Sequence, residues 1–510
     1  MTQAVPVAAD AAGQEHGPER GHRLPRGPRA TPFWVLGSAI AGAAIVATAR
    51  IEPVLPLVVT LAIVLVAVAV FRPKAFALIA TIVIALAVPI ENVIGSIGSY
   101  SDEAMVAVAL IAFTARRLAT TGGIRWLPGG LAFLVYVVFA ALSSVAQHVP
   151  LTNAFGAGYI SIKGVLFAFA LAQLQWSRRD LRVILRSGAV AIVLIALLGL
   201  VNLALPTEWA HLTMHHGPFA AVGGIHPLNG PFQHPAALSR FSVILAVGCL
   251  AYLFVVRARF SVLLLLVLSA GLAVLSFETK SLVGLIIVAV LLTIRFARLR
   301  GAIVVLCLAP LVIAALAPVL IRFIGRDVTA YVVQTSARGR LTTGGAELAN
   351  HYFPFGAGLG RWASSTAAND YSPEYVARSF QHVYGLGPGS AGKFLNDTQW
   401  PAIYGEAGWI GGAAFALGLL LMLVVLLRRT SQNEDALVRW LRVAGVGWMI
   451  ALVVESVVAP VFVSTPSFPF VFAAAGIIAS IRRDGLLPDP IRVLRPTAAD
   501  AAAPRATATR

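Results

Sequence analysis

The chain has 510 residues, of which 58% are hydrophobic and only 12% are charged. Soluble domains carry about twice that charged fraction, so the composition excludes a soluble globular protein and indicates one polytopic membrane domain. The formal net charge is +17, but Arg and Lys cluster in the tails and at the ends of apolar segments, as cytoplasmic anchoring requires. This placement argues against nucleic acid as a partner.

Residues 1–31 are rich in Pro, Gly and basic residues and have no apolar stripe. This composition predicts a disordered basic cytoplasmic tail. The first apolar run comes too late for a cleavable signal peptide and has no small-residue cleavage site. Residues 483–510 are rich in Ala, Pro and Arg, and we interpret them as a second disordered cytoplasmic tail.

Between the tails, apolar runs predict an all-α polytopic membrane protein with about fourteen transmembrane helices. A span needs roughly 20 apolar residues, with about 17 as a minimum. Because the fourth, tenth and last runs are short, the range is 12–14, with about eleven helices in 32–323 and about three in 401–482. The runs are 32–49, 54–71, 74–91, 103–116, 129–147, 157–175, 182–204, 236–256, 260–276, 281–296, 302–323, 401–427, 438–460 and 467–481.

The distribution of basic residues predicts that both termini lie in the cytoplasm. With that orientation every inner connection carries Arg or Lys, whereas the short outer ones carry only Arg50 and Lys280. Two longer segments then lie outside. Residues 206–235 contain no Lys or Arg, and residues 324–400 form one large external loop. Long loops translocate largely regardless of charge, so the arginines of this loop do not contradict the assignment.

The first outer segment holds five histidines: His211, His215, His216, His226 and His234. No HxxxH or HExxH motif lies on an obvious helix, and no acid or cysteine completes a ligand set. We therefore predict no metal, and no nucleotide-binding motif points to another cofactor. His234 in GPFQHP is a candidate for a hydrogen bond to substrate, because it begins the eighth span.

Two lysines occur at unusual positions. Lys280 lies in FETKS between two apolar runs, beside Glu278. A cation at the outer membrane surface suits the phosphates of a lipid-linked substrate. The alternative, favoured on spacing alone, is a snorkelling lysine paired with Glu278. Lys163, inside the sixth run, is a secondary candidate that either snorkels outward or faces a cavity.

The large loop supplies the remaining candidates. Arg338 and Arg340 in SARGRL suit bidentate phosphate recognition, although a single loop arginine is usually just solvated. Arg361 follows three glycines in GAGLGRW, which is either a tight turn or a place where backbone amides approach a ligand. Asp397 is either a helix N-cap or a general base for an acceptor hydroxyl. Glu406 lies within or beside a span, where ionisable residues are costly and usually functional.

Four motifs in residues 230–411 resemble, in order, those of the O-antigen ligase and O-antigen polymerase superfamily of bacterial envelope glycosyltransferases. GPFQHPAALSRFSV is similar to its G-x-F-x-h-P-N start of a span, and LSFETKSLVGLII to its S-R-G break. GRLTTGGAELANHYFPFGAGLGRW and NDTQWPAIYGEAGWIGG are similar to its arginine–glycine loop and its re-entry motif. The positions that match in these last two are Arg340, Pro354, Gly356, Gly358, Gly360, Asp397, Glu406, Gly408 and Gly411.

Three positions depart from the family pattern. Lys280 replaces an arginine, which keeps the charge but loses the bidentate geometry, and Ala236 replaces an asparagine. Asp397 stands where ligases have histidine, which resembles polymerase-type members and puts in doubt any mechanism that requires histidine there.

The resemblance implies a metal-independent transferase, without a cofactor, at the outer face of a bacterial cytoplasmic membrane. It would polymerise undecaprenyl-diphosphate-linked oligosaccharides among the membrane lipids, with a chain-length regulator or flippase as partner. Lys280, Arg340 and Arg361 would meet the diphosphate, with Arg338 as a further binding residue. Asp397 would act on the acceptor hydroxyl, and His234 and Glu406 would position substrate or loop. Two alternatives stay open: a ligase that transfers finished glycan to a lipid, wall or protein acceptor, and a polysaccharide flippase or exporter without chemistry.

Overall fold

A computed structural model describes residues 55–296 and 336–488. The chain divides into two compact units, Met1–Val64 and Leu65–Arg510, and residues 55–64 of the first unit are described. Several predictions lie outside the described residues: the tail 1–31, the spans 32–49 and 302–323, the loop start 324–335, and the second tail beyond residue 488.

All regular structure in residues 55–296 and 336–488 is helical; it includes isolated bridges and no strand. Turns of 3-10 helix lie at Gly95–Tyr100, Phe380–His382 and Gly389–Ala391. The α-helices are α1 (Leu55–Phe71), α2 (Pro73–Ala85), α3 (Ala87–Ile94), α4 (Ser101–Thr121), α5 (Gly130–Ala146), α6 (Leu151–Ala172), α7 (Arg178–Ala204), α8 (Pro206–Met214), α9 (Pro235–Val255), α10 (Phe260–Leu275), α11 (Thr279–Phe296), α12 (Ala337–His351), α13 (Ser365–Asn369), α14 (Pro373–Ala377), α15 (Trp400–Leu427), α16 (Ala436–Glu455) and α17 (Phe468–Asp484).

Seven helices in the described ranges are long and apolar enough to cross a membrane, and the bent pair α2–α3 would make an eighth. The seven are α4 with the turn before it, α6, α7, α9, α11, α15 and α16. Shorter apolar helices occur in α1, α5 and α10. The helical membrane character predicted from the sequence is confirmed, whereas the number of about fourteen spans stays a prediction.

The predicted third span, 74–91, is bent rather than straight. Helices α2 and α3 meet at Leu86 at an angle of 73°. A proline ring inside a helix clashes with the carbonyl oxygen four residues earlier. For Pro89 that carbonyl belongs to Ala85, the last residue of α2. The helix therefore breaks directly after it.

The helices of the second unit pack in two groups. Helix α9 packs against α10, α11 and α16, while α6 packs against α4 and α17, and α5 against α15. Helices α16 and α17 join the groups. In α9 and α16, 72% of the spanning residues are buried inside the protein, compared with at most 44% in the other candidate spans. Charged residues on α9 and α16 must therefore find partners within the protein.

Ion pairs join several helix ends at one end of the bundle. Lys74 pairs with Asp180 at 2.6 Å, Arg117 with Asp484 at 3.4 Å, and Arg125 also contacts Asp484. Arg178 lies 3.3 Å from Asp435. These residues belong to connections that the basic-residue pattern predicts on the same side of the membrane, and their contacts agree with that grouping.

The described part of the large loop, residues 336–400, contains helices α12, α13 and α14 and two turns of 3-10 helix; we call it the polar segment. It has its own small core, in which Trp362 is fully buried and packs with Tyr375 and Phe380. The Trp362 indole N–H donates to the Leu341 carbonyl of α12 at 3.0 Å. Helix α12 packs against α15, so the polar segment is anchored to a spanning helix.

Helix α15 breaks at Gly408, where φ is 72° and ψ is 177°. The break leaves the carbonyls of Gly405 and Glu406 without their helical donors, and residues 354–362, the glycine turn, supply replacements. Ala357 N–H donates to the Gly405 carbonyl at 2.8 Å and Gly358 N–H to the Glu406 carbonyl at 3.1 Å. The Ser143 hydroxyl of α5 also donates to the Glu406 carbonyl, at 2.7 Å. The break is therefore where the polar segment docks on the bundle.

Replacement of Gly408 by alanine should destabilise this junction. A Cβ there would lie 2.3 Å from the Phe355 carbonyl oxygen, and its positive φ disfavours any L side chain. We expect a loss of at least about 2 kcal/mol in the free energy of unfolding, measured as a lower unfolding temperature in detergent. The matched control is Gly271→Ala in α10, where a Cβ meets nothing within 4 Å. If both variants unfold at the wild-type temperature, the docking role of the break is wrong.

Candidate functional site

His234, Glu278 and Lys280 lie together at the starts of α9 and α11; we call them the histidine–lysine cluster. His234 is the N-cap of α9, and its Nδ1 accepts a hydrogen bond from Ala236 N–H at 3.0 Å. The same nitrogen lies 3.8 Å from Glu278 Oε1, and Lys280 Nζ lies 3.7 Å from Glu278 Oε2. The structure thus brings together two of the residues predicted from the sequence.

His234 is held in its neutral form. Desolvation of the ring within the cluster, together with the nearby cations Lys280 and Arg240, lowers the pKa of His234 to about 4. The imidazole is therefore uncharged at neutral pH. Because Nδ1 accepts the Ala236 amide, the proton of the neutral ring sits on Nε2. His234 can accordingly offer one N–H donor to a ligand but no charge.

A buried ion pair lies next to this cluster. On α9, Arg240 donates through Nε and Nη2 to Glu455 Oε1 of α16 at 3.0 and 2.8 Å. Ser281 at the start of α11 donates to Glu455 Oε2 at 3.3 Å. Because Ser281 follows Lys280, the pair fixes the helix start that carries this lysine. Arg240 lies within the GPFQHPAALSRFSV motif but was not among the residues predicted for the site. A charge inside an apolar run would have indicated it.

Asp397 lies against Arg338, and the two form the second polar centre. The carboxylate contacts the guanidinium, which also lies over the Phe394 ring at 4.7 Å. Helix α15 begins at Trp400 with Gln399 as its N-cap, so the N-cap alternative for Asp397 is excluded. The Asp397 side chain is 29% exposed and that of Arg338 only 8%. Arg338 therefore positions a carboxylate that remains accessible.

The other two arginines take different places. Arg340 lies on α12 two residues after Arg338 and is exposed. Because two residues turn a helix through about 200°, its side chain leaves on the other face. Arg361 is half-buried in the glycine turn, close enough to Tyr352 for an electrostatic interaction. Neither arginine forms an ion pair with any residue in the described ranges.

Glu406 is the ligand of the glycine turn. Its side chain is buried and accepts hydrogen bonds from the amides of Gly360, Arg361 and Trp362 and from the Ser364 hydroxyl at 2.6 Å. Successive amides that converge in this way form an anion-binding nest. The sequence left two alternatives for these glycines, a tight turn or amides that approach a ligand; in the structure the amides bind a carboxylate of the same chain. Its contacts are those of a residue that positions the loop.

Two hydrogen bonds join residues that neighbour the two polar centres. The Trp400 indole N–H donates to the Ser456 hydroxyl at 3.0 Å, and Phe462 N–H donates to Gln399 Oε1 at 3.1 Å. Ser456 directly follows Glu455 of the buried ion pair, and Gln399 follows Asp397 by two residues. Both centres therefore lie at the same end of the bundle, opposite the ion pairs of Asp484.

Lys163 belongs to neither centre. It is buried, and its Nζ lies 2.5 Å from Asp102 Oδ2 and 2.9 Å from Glu103 Oε1. The ammonium also lies 5.4 Å from the centre of the Phe468 ring. These contacts join α6 to α4 and α17. Lys163 therefore does not snorkel outward, and its charge is compensated within the bundle.

Three histidines of residues 206–235 lie around Phe219: its ring centre is 5.9 Å from that of His216 and 4.9 Å from that of His234, and its carbonyl bonds His226. His216 and His226 each bond a backbone carbonyl through Nδ1, at 2.7 Å. Within residues 55–296 and 336–488, no three His, Cys, Asp or Glu side chains are grouped as metal ligands would be.

No model of a known protein family matches the chain, and no curated protein matches it either. The likeness to the O-antigen ligase and polymerase superfamily therefore depends on the four motifs alone.

Replacement of Glu406 should disconnect the glycine turn. In Glu406→Ala the amides and the Ser364 hydroxyl lose their acceptor, and each unpaired buried donor costs about 1–3 kcal/mol. We expect little folded protein after extraction in detergent, measured by size-exclusion chromatography. Glu406→Gln keeps one acceptor oxygen and should give an intermediate yield. The control is Glu347→Ala, whose side chain is 69% exposed; equal yields of Glu406→Ala and Glu347→Ala would contradict the proposed role.

Proposed function

We propose that the protein is a membrane glycosyltransferase of the O-antigen polymerase and ligase type. It would polymerise undecaprenyl-diphosphate-linked oligosaccharides at the outer face of a bacterial cytoplasmic membrane. The observation that carries the proposal is the arrangement at one end of the helical bundle. There Lys280 at the start of α11 and an accessible carboxylate held by Arg338 lie at the same end of the bundle. Trp400, three residues after Asp397, donates to Ser456, the neighbour of the Glu455 that Ser281 contacts.

The proposed topology has about fourteen spans with both termini in the cytoplasm. The ion pairs of Lys74, Arg117, Arg125 and Arg178 support it, because they gather connections assigned to the cytoplasmic side. The polar segment and the histidine–lysine cluster then face outward, where lipid-linked repeat units are polymerised.

Donor binding is assigned to the cations. The lipid chain would remain in the bilayer while its diphosphate meets Lys280 and the arginines of the polar segment. When the bond between the sugar anomeric carbon and the diphosphate oxygen breaks, negative charge develops on the leaving diphosphate. Fixed cations stabilise that charge more than the charge of the ground state. The N–H on Nε2 of His234 supplies a further hydrogen-bond donor beside Lys280.

Acceptor activation is assigned to Asp397. Its carboxylate would orient the acceptor hydroxyl and take its proton as the new glycosidic bond forms. Arg338, buried over Phe394, holds the carboxylate in one orientation. The donor is already activated by its diphosphate linkage, so the reaction needs no nucleotide. A ligase would use the same groups with a different acceptor.

Substitutions at the two centres test the proposal in a deletion strain. Lys280→Ala, Arg340→Ala and Asp397→Asn should each reduce long polymer by roughly a hundredfold or more. Single lipid-linked repeat units should accumulate, as measured by profiles of lipid-linked and polymeric glycan. The matched control is Lys393→Ala, an exposed lysine of the polar segment, with membrane levels of every variant measured in parallel.

The same profiles separate the alternatives. Long lipid-linked polymer that fails to reach its final acceptor would identify a ligase. Repeat units confined to the cytoplasmic side would identify a flippase or exporter. Normal polymer in either Lys280→Ala or Asp397→Asn would overturn the assignment of that residue.

A further inference from the structure

Tyr384 stands out in the polar segment because a large aromatic side chain is left in solvent beside the candidate site. Its side chain is 79% exposed, and its ring centre lies 6.2 Å from that of Phe394. We propose that Tyr384 is a platform on which a pyranose ring of the acceptor saccharide stacks, separated from the Arg338–Asp397 pair by the Phe394 ring. This inference rests on the proposed function and names the part of the site that holds the acceptor.

The turn that carries Tyr384 is fixed. Gly385, which follows it, has a φ of 78°, and a Cβ there would lie 2.2 Å from Phe394 Cδ2. Phe394 N–H donates to the Gly385 carbonyl at 3.0 Å, and the Tyr371 hydroxyl donates to the Leu386 carbonyl at 3.1 Å. Leu386 itself is buried in the core of the polar segment. Tyr384 is therefore presented to solvent from a rigid base.

Short contacts lead from this base to the candidate catalytic carboxylate. Phe394 lies below the Arg338 guanidinium, and Arg338 contacts Asp397. Asp397 N–H also donates to the Phe394 carbonyl at 3.2 Å. Tyr384, Phe394, Arg338 and Asp397 thus form one continuous array, which runs from an exposed ring to an accessible carboxylate.

The chemistry of the array suits a carbohydrate. One face of a pyranose presents C–H groups, which pack on an aromatic ring, while the hydroxyls at its rim need polar partners. Asn396 is exposed on the same stretch of chain and can supply such a partner. Isolated exposed apolar side chains are common and need no explanation. Tyr384 differs from those because its base is clamped and is joined by contacts to Asp397.

Saturation-transfer NMR on the full-length protein in detergent tests the platform without requiring turnover. The probes are methyl glycosides of glucose, galactose, mannose, N-acetylglucosamine and rhamnose. Wild-type protein should transfer saturation to the C–H protons of one pyranose face for at least one probe. Tyr384→Ala should reduce this transfer roughly three- to tenfold, whereas Tyr384→Phe and Tyr384→Trp should retain it. The matched control is Tyr100→Ala, because Tyr100 is 71% exposed and lies outside the polar segment.

The outcomes separate this inference from the proposed function. Absence of transfer in the wild type for every probe, or equal transfer in Tyr384→Ala and the wild type, would overturn the platform. Transfer that depends on Tyr384, with normal polymer in Asp397→Asn, Lys280→Ala and Arg340→Ala, would remove the proposed function and leave a saccharide-binding surface. Transfer that depends on Tyr384, with polymer lost in Asp397→Asn and acceptor KM raised in Tyr384→Ala at an unchanged kcat, would establish both.

Discussion

The buried carboxylate of Glu406 is the interaction on which the arrangement of the site depends. A carboxylate away from water is costly unless its oxygens are fully hydrogen-bonded, and here three successive amides and a hydroxyl meet that requirement. The cost of the helix break at Gly408 is offset in the same place, because the carbonyls of Gly405 and Glu406 accept hydrogen bonds from amides of the glycine turn. The glycine turn thus supplies the hydrogen bonds needed both by the Glu406 carboxylate and by the broken helix. This junction fixes the polar segment on a spanning helix.

The ion pair of Arg240 and Glu455 fixes helices within the bundle, as Glu406 fixes the polar segment. Both partners are buried on the two most buried spans, so removal of either would leave an uncompensated charge. Ser281 brings the start of α11 to the same carboxylate. Lys280 consequently projects from a fixed position, although nothing in its local sequence specifies that position. The hydrogen bond from Trp400 to Ser456 then sets the polar segment against this part of the bundle.

The sequence predicted what depends on local pattern and missed what depends on distant partners. Hydropathy predicted a helical membrane protein, and the glycines allowed either a tight turn or amides that approach a ligand. The ligand, Glu406, lies 44 residues from Trp362, and Glu455 lies 215 residues from Arg240. No spacing rule links such pairs. Arg338 and Arg340 both lie on α12, where two residues apart means different faces, so only Arg338 contacts Asp397. The sequence predicted this stretch only as a loop, because it lacks a clear apolar stripe.

The two centres differ in how completely their charges are compensated. In the histidine–lysine cluster, Glu278 opposes Lys280 and His234 is neutral, so the cluster has no net charge at neutral pH. In the polar segment, Arg338 is opposed by Asp397 and Arg378 by Glu374. Arg340 and Arg361 have no such counter-charge among the described residues. If the protein binds a diphosphate-linked donor as proposed, long-range attraction would come from Arg340 and Arg361, and Lys280 would act only at contact distance, once the diphosphate replaces Glu278 beside its ammonium.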